Sequence, residues 1–365
     1  MRPTEIHPNL YVEQLQQKYH FVEQAFAQFS MPKLETFESD ALHYRYRAEF
    51  RLWHDGDELH HVMFDQTTKE KYQVHSFPPA CQLINDLMTD LIAELKVSEI
   101  ARRKLFQIDY LATLSGEIVA SLLYHKTLDD DWVTEIQTIL KKLRQSYKLD
   151  IIGRAKKQKI VLDKDYATET LLINQQTFTF KQIENSFTQP NAKVNIKMIE
   201  WALDVTKGSE DDLLELYCGA GNFSIPLAQN FNKVLATEIS KTSVAAAQQN
   251  IKDNKVNNLK IIRMSSEEFV QAQQGVREFR RLDGIKLDDY ACKTVLVDPP
   301  RSGLDDATLD MIKHYKNIVY ISCNPETLKH NLDTLLKTHK VVRFALFDQF
   351  PYTHHAECGV YLQNL

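Results

Sequence analysis

The sequence is poor in cysteine, and its few cysteines are scattered. Among 365 residues there are five, at positions 81, 218, 292, 323 and 358, and none forms a Cys-x-x-Cys pair. A small, odd number of widely spaced cysteines argues against a disulfide framework and favours a reducing compartment. We therefore expect a cytoplasmic protein. The missing Cys-x-x-Cys pair also predicts that the protein carries no iron–sulfur cluster.

Long apolar runs are missing as well. No stretch approaches the length of a membrane span, and the first residues, Met1–His7, lack the apolar segment of a secretion signal. We expect no membrane association. The hydrophobic content of 43% is nevertheless enough to bury two cores, and ordinary domain sizes favour two domains over 365 residues.

The chain has no excess of positive charge. Its 44 lysines and arginines face 49 acids, so the net charge is −5, and affinity for a nucleic acid would have to come from a local patch. Two segments are locally basic, Arg102–Lys104 and Lys141–Lys159, and the second contains one acid, Asp150. Phe106 follows the first segment and could stack on an exposed base. Solvated helix faces are the alternative explanation for both segments.

Cys323 stands where an apolar strand stops and a helix begins, within Asn317–Glu326. The carboxyl end of a strand is where α/β sheets place their functional groups. Asn324 can cap the new helix and Pro325 suits its first turn. We expect the positive end of the helix dipole to favour a thiolate at Cys323. A buried structural cysteine is the alternative.

A glycine loop lies upstream of this cysteine. An apolar strand runs into Gly219 and Gly221, but the third glycine of a dinucleotide fingerprint is replaced by Ser224, so a pyrophosphate site is poorly supported. A second strand then ends on Glu238, whose carboxylate can accept the hydroxyls of a ribose. This order fits a nucleoside without phosphates, such as S-adenosylmethionine. An ordinary strand–helix turn with a surface glutamate is the alternative.

Two further strand ends carry acids. The strand Lys293–Val297 stops at Asp298, and the two prolines that follow fix the backbone there. Near the C-terminus, two strands are joined by a segment that holds His354 and His355 and ends on Glu357. Adjacent histidines cannot easily point at one ion, so we expect no metal; a surface loop and a functional acid or base both remain open.

The coarse pattern of elements separates two halves. Residues 1–181 mix helices with alternating strands, including a hairpin signal at Asp55–Asp57 and an amphipathic helix over Trp132–Tyr147. Residues 182–365 alternate strands and helices, and predict a doubly wound sheet closed by an antiparallel hairpin. We therefore expect an N-terminal α+β domain, 1–181, and a Rossmann-like α/β domain, 182–365.

Together these segments resemble the RNA 5-methyluridine methyltransferase family, most of all its members that form ribothymidine in the T-loop of tRNA. The resemblance runs through both halves of the chain. It implies an S-adenosylmethionine-dependent methyltransferase domain behind an N-terminal RNA-binding domain. The matching segments are His43–Arg51, Trp53–Gly56, Lys104–Tyr110, Gln189–Asn191, Glu215–Ser224, Asp298–Arg301, Ser322–Pro325 and Glu357.

The resemblance also implies roles for residues. Cys323 would be the nucleophile that adds to C6 of uracil, and Glu357 the base that removes the C5 proton. Asp298 would lie where cofactor and target base meet. The remaining cofactor positions would be Gln189, Tyr217, Asn222 and Glu238.

The implied substrate is uridine 54 in the T-arm of tRNA, together with the T-loop-like arm of tmRNA. The uridine would have to leave its stack to be methylated. No protein partner is indicated. The rival functions are a methyltransferase for ribosomal RNA or a small molecule, and a catalytically silent RNA-binding or folding module.

Overall fold

The computed structural model describes residues 2–65 and 67–365. The helices are α1 (Tyr11–Ala25), α2 (Gln82–Lys96), α3 (Glu99–Arg102), α4 (Asp130–Leu143), α5 (Ala192–Val205), α6 (Ser224–Leu227), α7 (Lys241–Asp253), α8 (Ser266–Gln273), α9 (Asp306–Ile312) and α10 (Pro325–Leu335). Short 3-10 helices cover Pro3–Glu5, Pro8–Leu10, Ala228–Asn230, Arg280–Leu282 and Leu287–Asp289.

The strands of the N-terminal half are β1 (Leu34–Phe37), β2 (Arg47–Asp55), β3 (Glu58–Phe64), β4 (Lys71–Gln73), β5 (Leu105–Ala112), β6 (Glu117–Tyr124), β7 (Lys148–Ala155), β8 (Gln158–Val161), β9 (Tyr166–Ile173) and β10 (Gln176–Ile183). Those of the C-terminal half are β11 (Asp212–Leu216), β12 (Val234–Glu238), β13 (Leu259–Arg263), β14 (Cys292–Val297), β15 (Asn317–Ser322), β16 (His339–Phe347) and β17 (Glu357–Asn364).

The chain folds into two compact units that are interleaved in sequence. The first unit contains residues 1–9, 40–170 and 182–192, and the second contains residues 10–39, 171–181 and 193–365. The sequence analysis expected a single boundary between residues 181 and 182. The contacts instead group α1 and β1 with the second unit, because β1 pairs with β16 in its sheet.

The first unit is built on a seven-stranded sheet in the order β4-β3-β2-β5-β6-β7-β8. Along β2 the residues alternate, as a half-buried strand requires: Phe50 and Leu52 are buried, whereas Arg51 and Trp53 are exposed. The buried face packs with α2 and α4, whose buried residues belong to the same apolar core. The opposite face therefore carries the polar and aromatic side chains of β2.

Most predicted elements of this unit are confirmed. Asp55–Asp57 joins β2 to β3, and the predicted helix corresponds to α4, which is shorter at its C-terminal end. The hairpin β9–β10 was not predicted from sequence. Its turn consists of Asn174 and Gln175, which both have positive φ, 45° and 66°. The usual sequence signal for such a turn is Asn-Gly, and Asn-Gln lacks the glycine.

The second unit contains an eight-stranded sheet in the order β1-β16-β17-β15-β14-β11-β12-β13. Strands β13, β12, β11, β14 and β15 are parallel, and β17 pairs antiparallel with both β15 and β16. The predicted doubly wound sheet with a closing antiparallel hairpin is confirmed. The central parallel strands β11, β14 and β15 are buried along most of their length, which explains their largely apolar sequences.

The strand order defines where a ligand can enter this sheet. From β11 the chain moves outward to β12 and β13 on one side, and later to β14 and β15 on the other. This reversal is a topological switch point, and ligands bind beyond the carboxyl ends of the strands there. Among the described helices, none combines the length and the apolar character that crossing a lipid bilayer requires.

Candidate active site

Cys323 lies between the end of β15 and the start of α10, as predicted. The side chain of Asn324 caps the helix by accepting a hydrogen bond from the backbone N–H of Glu326 at 3.2 Å, and Pro325 is the first helical residue. The Asn324 side-chain N–H₂ also donates to the carbonyl of Arg301 at 3.0 Å. The cysteine loop and the Asp298–Arg301 turn are therefore tied together.

The sheet register brings Glu357 to this cysteine. β15 and β17 run antiparallel, with Ser322 paired to Cys358. The ladder ends at this pair; Cys323 is the residue after Ser322, and Glu357 is the residue before Cys358. The Glu357 carboxyl is near enough to raise the pKa of the Cys323 thiol. The nucleophile and the base expected from the sequence are thus brought to the same end of the ladder.

The electrostatics of Cys323 contradict one expectation. Burial, followed by the carboxyls of Glu357 and Asp298, raises the pKa of its thiol to about 11, although Arg301 opposes them. The prediction that the helix terminus favours a thiolate is wrong for the free protein. The helix N-terminus is outweighed because the thiol is half-buried beside two acids.

Glu357 is held in an environment that disfavours its charge. The residue is 2% exposed, and its Oε1 has no hydrogen-bond partner among the described residues. Burial and the neighbouring Asp298 raise the pKa of Glu357 well above its usual value, and burial raises the pKa of Asp298 to about 7. Two negative charges this close repel each other, so ionising both carboxyls is unfavourable. Glu357 therefore retains its proton, whereas Asp298 ionises more readily.

His354 and His355, beside Glu357, are not gathered with other metal-ligating side chains in the described part of the chain. Among residues 2–65 and 67–365, no cluster of three or more His, Cys, Asp or Glu side chains could hold a metal ion. His355 instead lies beside Arg301, whose Nη2 is 2.8 Å from the histidine Nε2. Burial and this guanidinium lower the pKa of His355.

The loop that leads to Glu357 is anchored by a buried ion pair. Lys18 of α1 contacts Asp348 with an Nζ–Oδ1 distance of 2.6 Å and donates to the carbonyl of Phe350 at 2.8 Å. Gln14 donates to the other carboxylate oxygen of Asp348 at 2.9 Å. This anchor was not predicted from the sequence. The available signal was a lysine on the buried face of α1, which it shares with Tyr11, Leu15 and Val22.

The glycine loop after β11 has the backbone that its sequence predicts. Tyr217, Gly219 and Gly221 all have positive φ, at 62°, 56° and 88°. A Cβ at residue 221 would lie 2.8 Å from Cδ1 of Ile225, so glycine is required there. Tyr217 is a non-glycine residue in the left-handed region, a strain that is typical of functional loops. Its hydroxyl lies 2.6 Å from that of Ser266.

Glu238 ends β12 at this loop, as predicted. Its carboxylate accepts hydrogen bonds from the backbone N–H of Gly219 at 3.0 Å and of Ser240 at 2.7 Å. Asn222 forms a reciprocal amide pair with Asn195 of α5, at 2.8 and 2.9 Å. The sequence analysis did not identify Asn195. Ile239, next to Glu238, is 62% exposed and offers an apolar surface at the edge of the loop.

Gln189 lies in the segment between β10 and α5, in the first unit, and is half-buried. The adjacent Pro190 accepts a hydrogen bond from the backbone of Tyr46 at 2.7 Å. The predicted site residues other than Gln189 lie at the strand ends and in the glycine loop of the second unit.

Beneath the glycine loop, burial raises the pKa of Glu215 to about 8, and its Oε2 has no hydrogen-bond partner within the described residues.

Comparison with known families accounts for this arrangement. A family model described as tRNA (uracil-5-)-methyltransferase matches residues 10–365. The chain belongs to this family. The expected family and enzyme class are therefore confirmed: the protein is a methyltransferase of the tRNA (uracil-5-) type.

Relatives of this methyltransferase match it over nearly its whole length. A tRNA/tmRNA (uracil-C(5))-methyltransferase of Pseudoalteromonas atlantica is 68% identical over 364 residues, which covers 100% of both chains. One of Shewanella oneidensis is 60% identical over 358 residues, or 98% of each chain.

A solved structure shares the fold. The tRNA (uracil-54, C5)-methyltransferase of Pyrococcus abyssi, in complex with S-adenosyl-L-homocysteine, superposes with a TM-score of 0.73 at 19% identity. The likeness covers 96% of this chain and 83% of that chain. At this identity the likeness concerns the fold, and it confirms the predicted mixed α/β methyltransferase architecture.

Proposed function

We propose that this methyltransferase transfers a methyl group from S-adenosylmethionine to C5 of uridine 54 in the T-loop of tRNA, and to the corresponding arm of tmRNA, through a covalent adduct of Cys323 with C6. The names of the relatives support tRNA and tmRNA as substrates. The name of the Pyrococcus protein supports uracil 54, and its bound S-adenosyl-L-homocysteine supports the methyl donor. The observation that carries the mechanism is the placement of Cys323 and Glu357 beside the Ser322–Cys358 pair at the end of the β15–β17 ladder, where the Glu357 carboxyl raises the pKa of the thiol.

The glycine loop and its surroundings fit the proposed methyl donor. At Gly219 the backbone is left-handed and nothing lies within 4 Å of where a Cβ would be, so a ligand can approach the main chain there. Glu238 would hold the ribose hydroxyls, Tyr217, Asn222 and Gln189 would contact the rest of the nucleoside and its amino-acid tail, and Asp298 would face the target base. When bound, S-adenosylmethionine supplies a methyl group on a positively charged sulfonium.

Cys323 solves the first chemical problem, the weak nucleophilicity of uracil C5. The thiol gives its proton to solvent, and its sulfur forms a bond to C6. The electrons of the C5–C6 double bond move into an enolate, which makes C5 nucleophilic. C5 then takes the methyl group from the sulfonium, whose methyl–sulfur bond breaks to leave S-adenosylhomocysteine. Since the pKa of the thiol is about 11 in the free protein, the charge balance of the site must change when substrates bind.

Glu357 solves the second problem, because the methylated adduct still holds a proton at C5. As a carboxylate, Glu357 removes this proton. The electrons of the C5–H bond restore the double bond, and the C6–sulfur bond breaks to free the thiolate. A carboxyl whose pKa is raised by burial is a stronger base once it is ionised.

A groove in the first unit provides the proposed RNA contact. It has a volume of about 650 Å³, and one side is formed by Phe106, whose ring stacks on His125 at a centroid distance of 3.8 Å and an angle of 9°. The guanidinium of Arg51 lies 5.4 Å from the Phe106 ring. The strand pairing shifts register between Leu105 and Gln107, so a bulge places Phe106 there. Stacked rings beside cations suit an unpaired base.

The basic segments contribute less free charge than the sequence suggested. Several of their cations are engaged in ion pairs: Arg102 with Asp57 at 2.7 Å, Lys142 with Glu94 at 2.6 Å, Arg144 with Asp150 at 2.5 Å, Arg154 with Glu184 at 2.6 Å and Lys159 with Asp165 at 2.8 Å. Lys126 and Lys156 line the groove itself. We therefore propose that phosphate contacts centre on this groove rather than on the whole segment.

The test separates the two catalytic roles. Unmodified tRNA and S-adenosylmethionine with a labelled methyl group are incubated with Cys323→Ala or Glu357→Gln, and the products are run on a denaturing gel. Cys323→Ala should bind tRNA but give neither product nor adduct. Glu357→Gln should methylate once and then remain as a covalent protein–RNA complex that carries the label. Rapid turnover by Glu357→Gln would show that another group removes the proton.

A further inference from the structure

Helix α1 turns a polar face toward the loop that precedes Glu357. This loop, residues 348–356, connects β16 to β17, and Glu357 is the first residue of β17. Tyr11, Gln14 and Lys18 lie on one side of α1, because residues three and four apart share a helix face. The side chains of Lys18 and Gln14 both bond to the carboxylate of Asp348. None of these side chains has a part in the proposed chemistry.

The contacts of this helix face hold the backbone of the loop as well as its side chains. Lys18 donates to the carbonyl of Phe350 at 2.8 Å, and Oε1 of Gln14 accepts a hydrogen bond from the backbone N–H of Tyr352 at 3.0 Å. Tyr352 has a φ of 59°, a strained conformation that a non-glycine residue keeps only where its surroundings hold it. Its ring packs edge-on against that of Tyr11, at a centroid distance of 6.1 Å. The first part of the loop therefore takes its conformation from α1.

The position of Glu357 depends on this part of the loop. Asp348 directly follows Phe347, the residue that pairs with Glu357 at the end of the β16–β17 ladder. The Oε1 atom of Glu357 has no hydrogen-bond partner among the described residues, so the backbone has to place this carboxyl. A displacement of about 1 Å can slow a chemical step by about a hundredfold. Loss of the Asp348 anchor would therefore impair proton removal by Glu357.

Stability alone is a poor explanation for the Lys18–Asp348 ion pair. The two side chains are 4% and 0% exposed, so both charges are withdrawn from water. The free energy of this desolvation offsets much of the attraction between them, and apolar replacements of similar volume often stabilise a protein. A hydrogen-bonded ion pair does, however, fix one arrangement of the groups it joins, because its bonds have preferred directions.

We propose that Lys18 and Gln14 are positioning residues for Glu357, and that they serve the second half of the reaction. The inference rests on the proposed function, in which Glu357 takes the C5 proton and the bond between C6 and sulfur then breaks. Within the described part of the chain, neither Lys18 nor Gln14 bonds to the loop of Cys323. Formation of the adduct and methyl transfer therefore survive loss of these contacts, whereas breakdown of the methylated adduct slows.

The test follows a single turnover of unmodified tRNA with methyl-labelled S-adenosylmethionine and measures the covalent protein–RNA complex on denaturing gels over time. Because Lys18→Met alone leaves a buried carboxylate unpaired, the main variant combines Lys18→Met with Asp348→Asn, which keeps an oxygen for Gln14. The labelled complex should form within about twofold of the wild-type rate and then break down about ten- to a hundredfold more slowly. The turnover number should fall, while the affinities for tRNA and S-adenosylmethionine stay unchanged.

Three single variants separate positioning from stability. Gln14→Ala leaves the ion pair in place and should also slow breakdown of the complex, by a smaller factor. Val22→Ala shortens a fully buried side chain of α1 in the core of the unit, and should lower the melting temperature without trapping the complex. Gln17→Met changes an exposed residue of the same helix and should alter neither property.

Two results would overturn the inference. One is breakdown of the complex at the wild-type rate in every folded variant of this helix face, and the other is equal trapping by Val22→Ala. Glu357→Gln distinguishes these results from a failure of the proposed function. If Glu357→Gln traps the complex and the Lys18 and Gln14 variants do not, the positioning role alone is wrong. If Glu357→Gln traps no complex, the proposed base is wrong and the inference falls with it.

Discussion

Replacing Glu357 with glutamine should make Cys323 more easily ionised while it prevents turnover. In the wild type, the Glu357 carboxylate is one of the groups that raise the thiol pKa to about 11. Glutamine has nearly the same shape but no charge. The thiolate should therefore form at lower pH in the variant, although the enzyme has lost its proposed base.

Coulomb's law gives the order of magnitude of this effect. Two unit charges about 5 Å apart, at an effective dielectric constant of about 20, interact by roughly 3 kcal/mol. The half-exposed position of Cys323 reduces this, so we expect roughly ten- to hundredfold more thiolate at a given pH. The increase in thiolate should be small at low pH, where Glu357 of the wild type is itself protonated. It should grow as the pH rises through the pKa of Glu357.

The assay follows iodoacetamide alkylation of the Cys323 peptide by mass spectrometry between pH 7 and 11. The rate profile of Glu357→Gln should move to lower pH. Glu326→Gln removes an equal charge from an exposed site in the first turn of α10, and should leave the profile nearly unchanged. Superimposable profiles for wild type and Glu357→Gln would refute the placement of Glu357 beside the thiol.

Two further predictions concern the cofactor loop and the first unit. Glu238→Ala should weaken S-adenosylmethionine binding tenfold to a hundredfold, because a charged hydrogen-bond acceptor that also binds the N–H of Gly219 contributes about 1.5–3 kcal/mol. Calorimetry measures this affinity, and an unchanged value would mean that Glu238 does not contact the cofactor. Burial raises the pKa of Glu169 to about 7 despite hydrogen bonds from the N–H groups of Leu114 and Thr170. Since this folded-state pKa is above the unfolded value, its stabilisation is present at low pH and is lost as pH rises from about 4.5 to 7, by up to about 3 kcal/mol. The melting temperature of Glu169→Gln should therefore fall less between pH 5 and 8 than that of the wild type, and equal slopes would contradict the raised pKa.

The sequence was sufficient where function depends on local order along the chain. A strand, a glycine loop and a terminal acid predicted the placement of Glu238, because each of these features is defined by a few consecutive residues. The same holds for Cys323, whose helix is capped by the next residue and begins with a proline. Strand bounds in the parallel sheet were also readable, since both faces of those strands are buried and their sequences are continuously apolar.

Other features depend on residues that are distant in sequence, and the tertiary structure alone decided them. The direction of the thiol pKa shift was predicted wrongly, because burial of Cys323, together with Glu357 and Asp298 at the ends of two other strands, outweighs the local helix terminus. The membership of α1 and β1 in the second unit was unexpected for a similar reason. β1 finds its hydrogen-bonding partner more than three hundred residues later, at Phe344–Phe347.

The same distinction applies to charge. Composition and spacing correctly located the basic segments in the N-terminal half. They could not show which cations are free of ion pairs, because pairs such as Arg154–Glu184 join different elements. Sequence by itself determined the kinds of groups present and the strand ends that carry them. Which groups face each other, and therefore which are charged, was decided by sheet register and burial, since electrostatic energies depend on distances and on solvent exposure that no local pattern encodes.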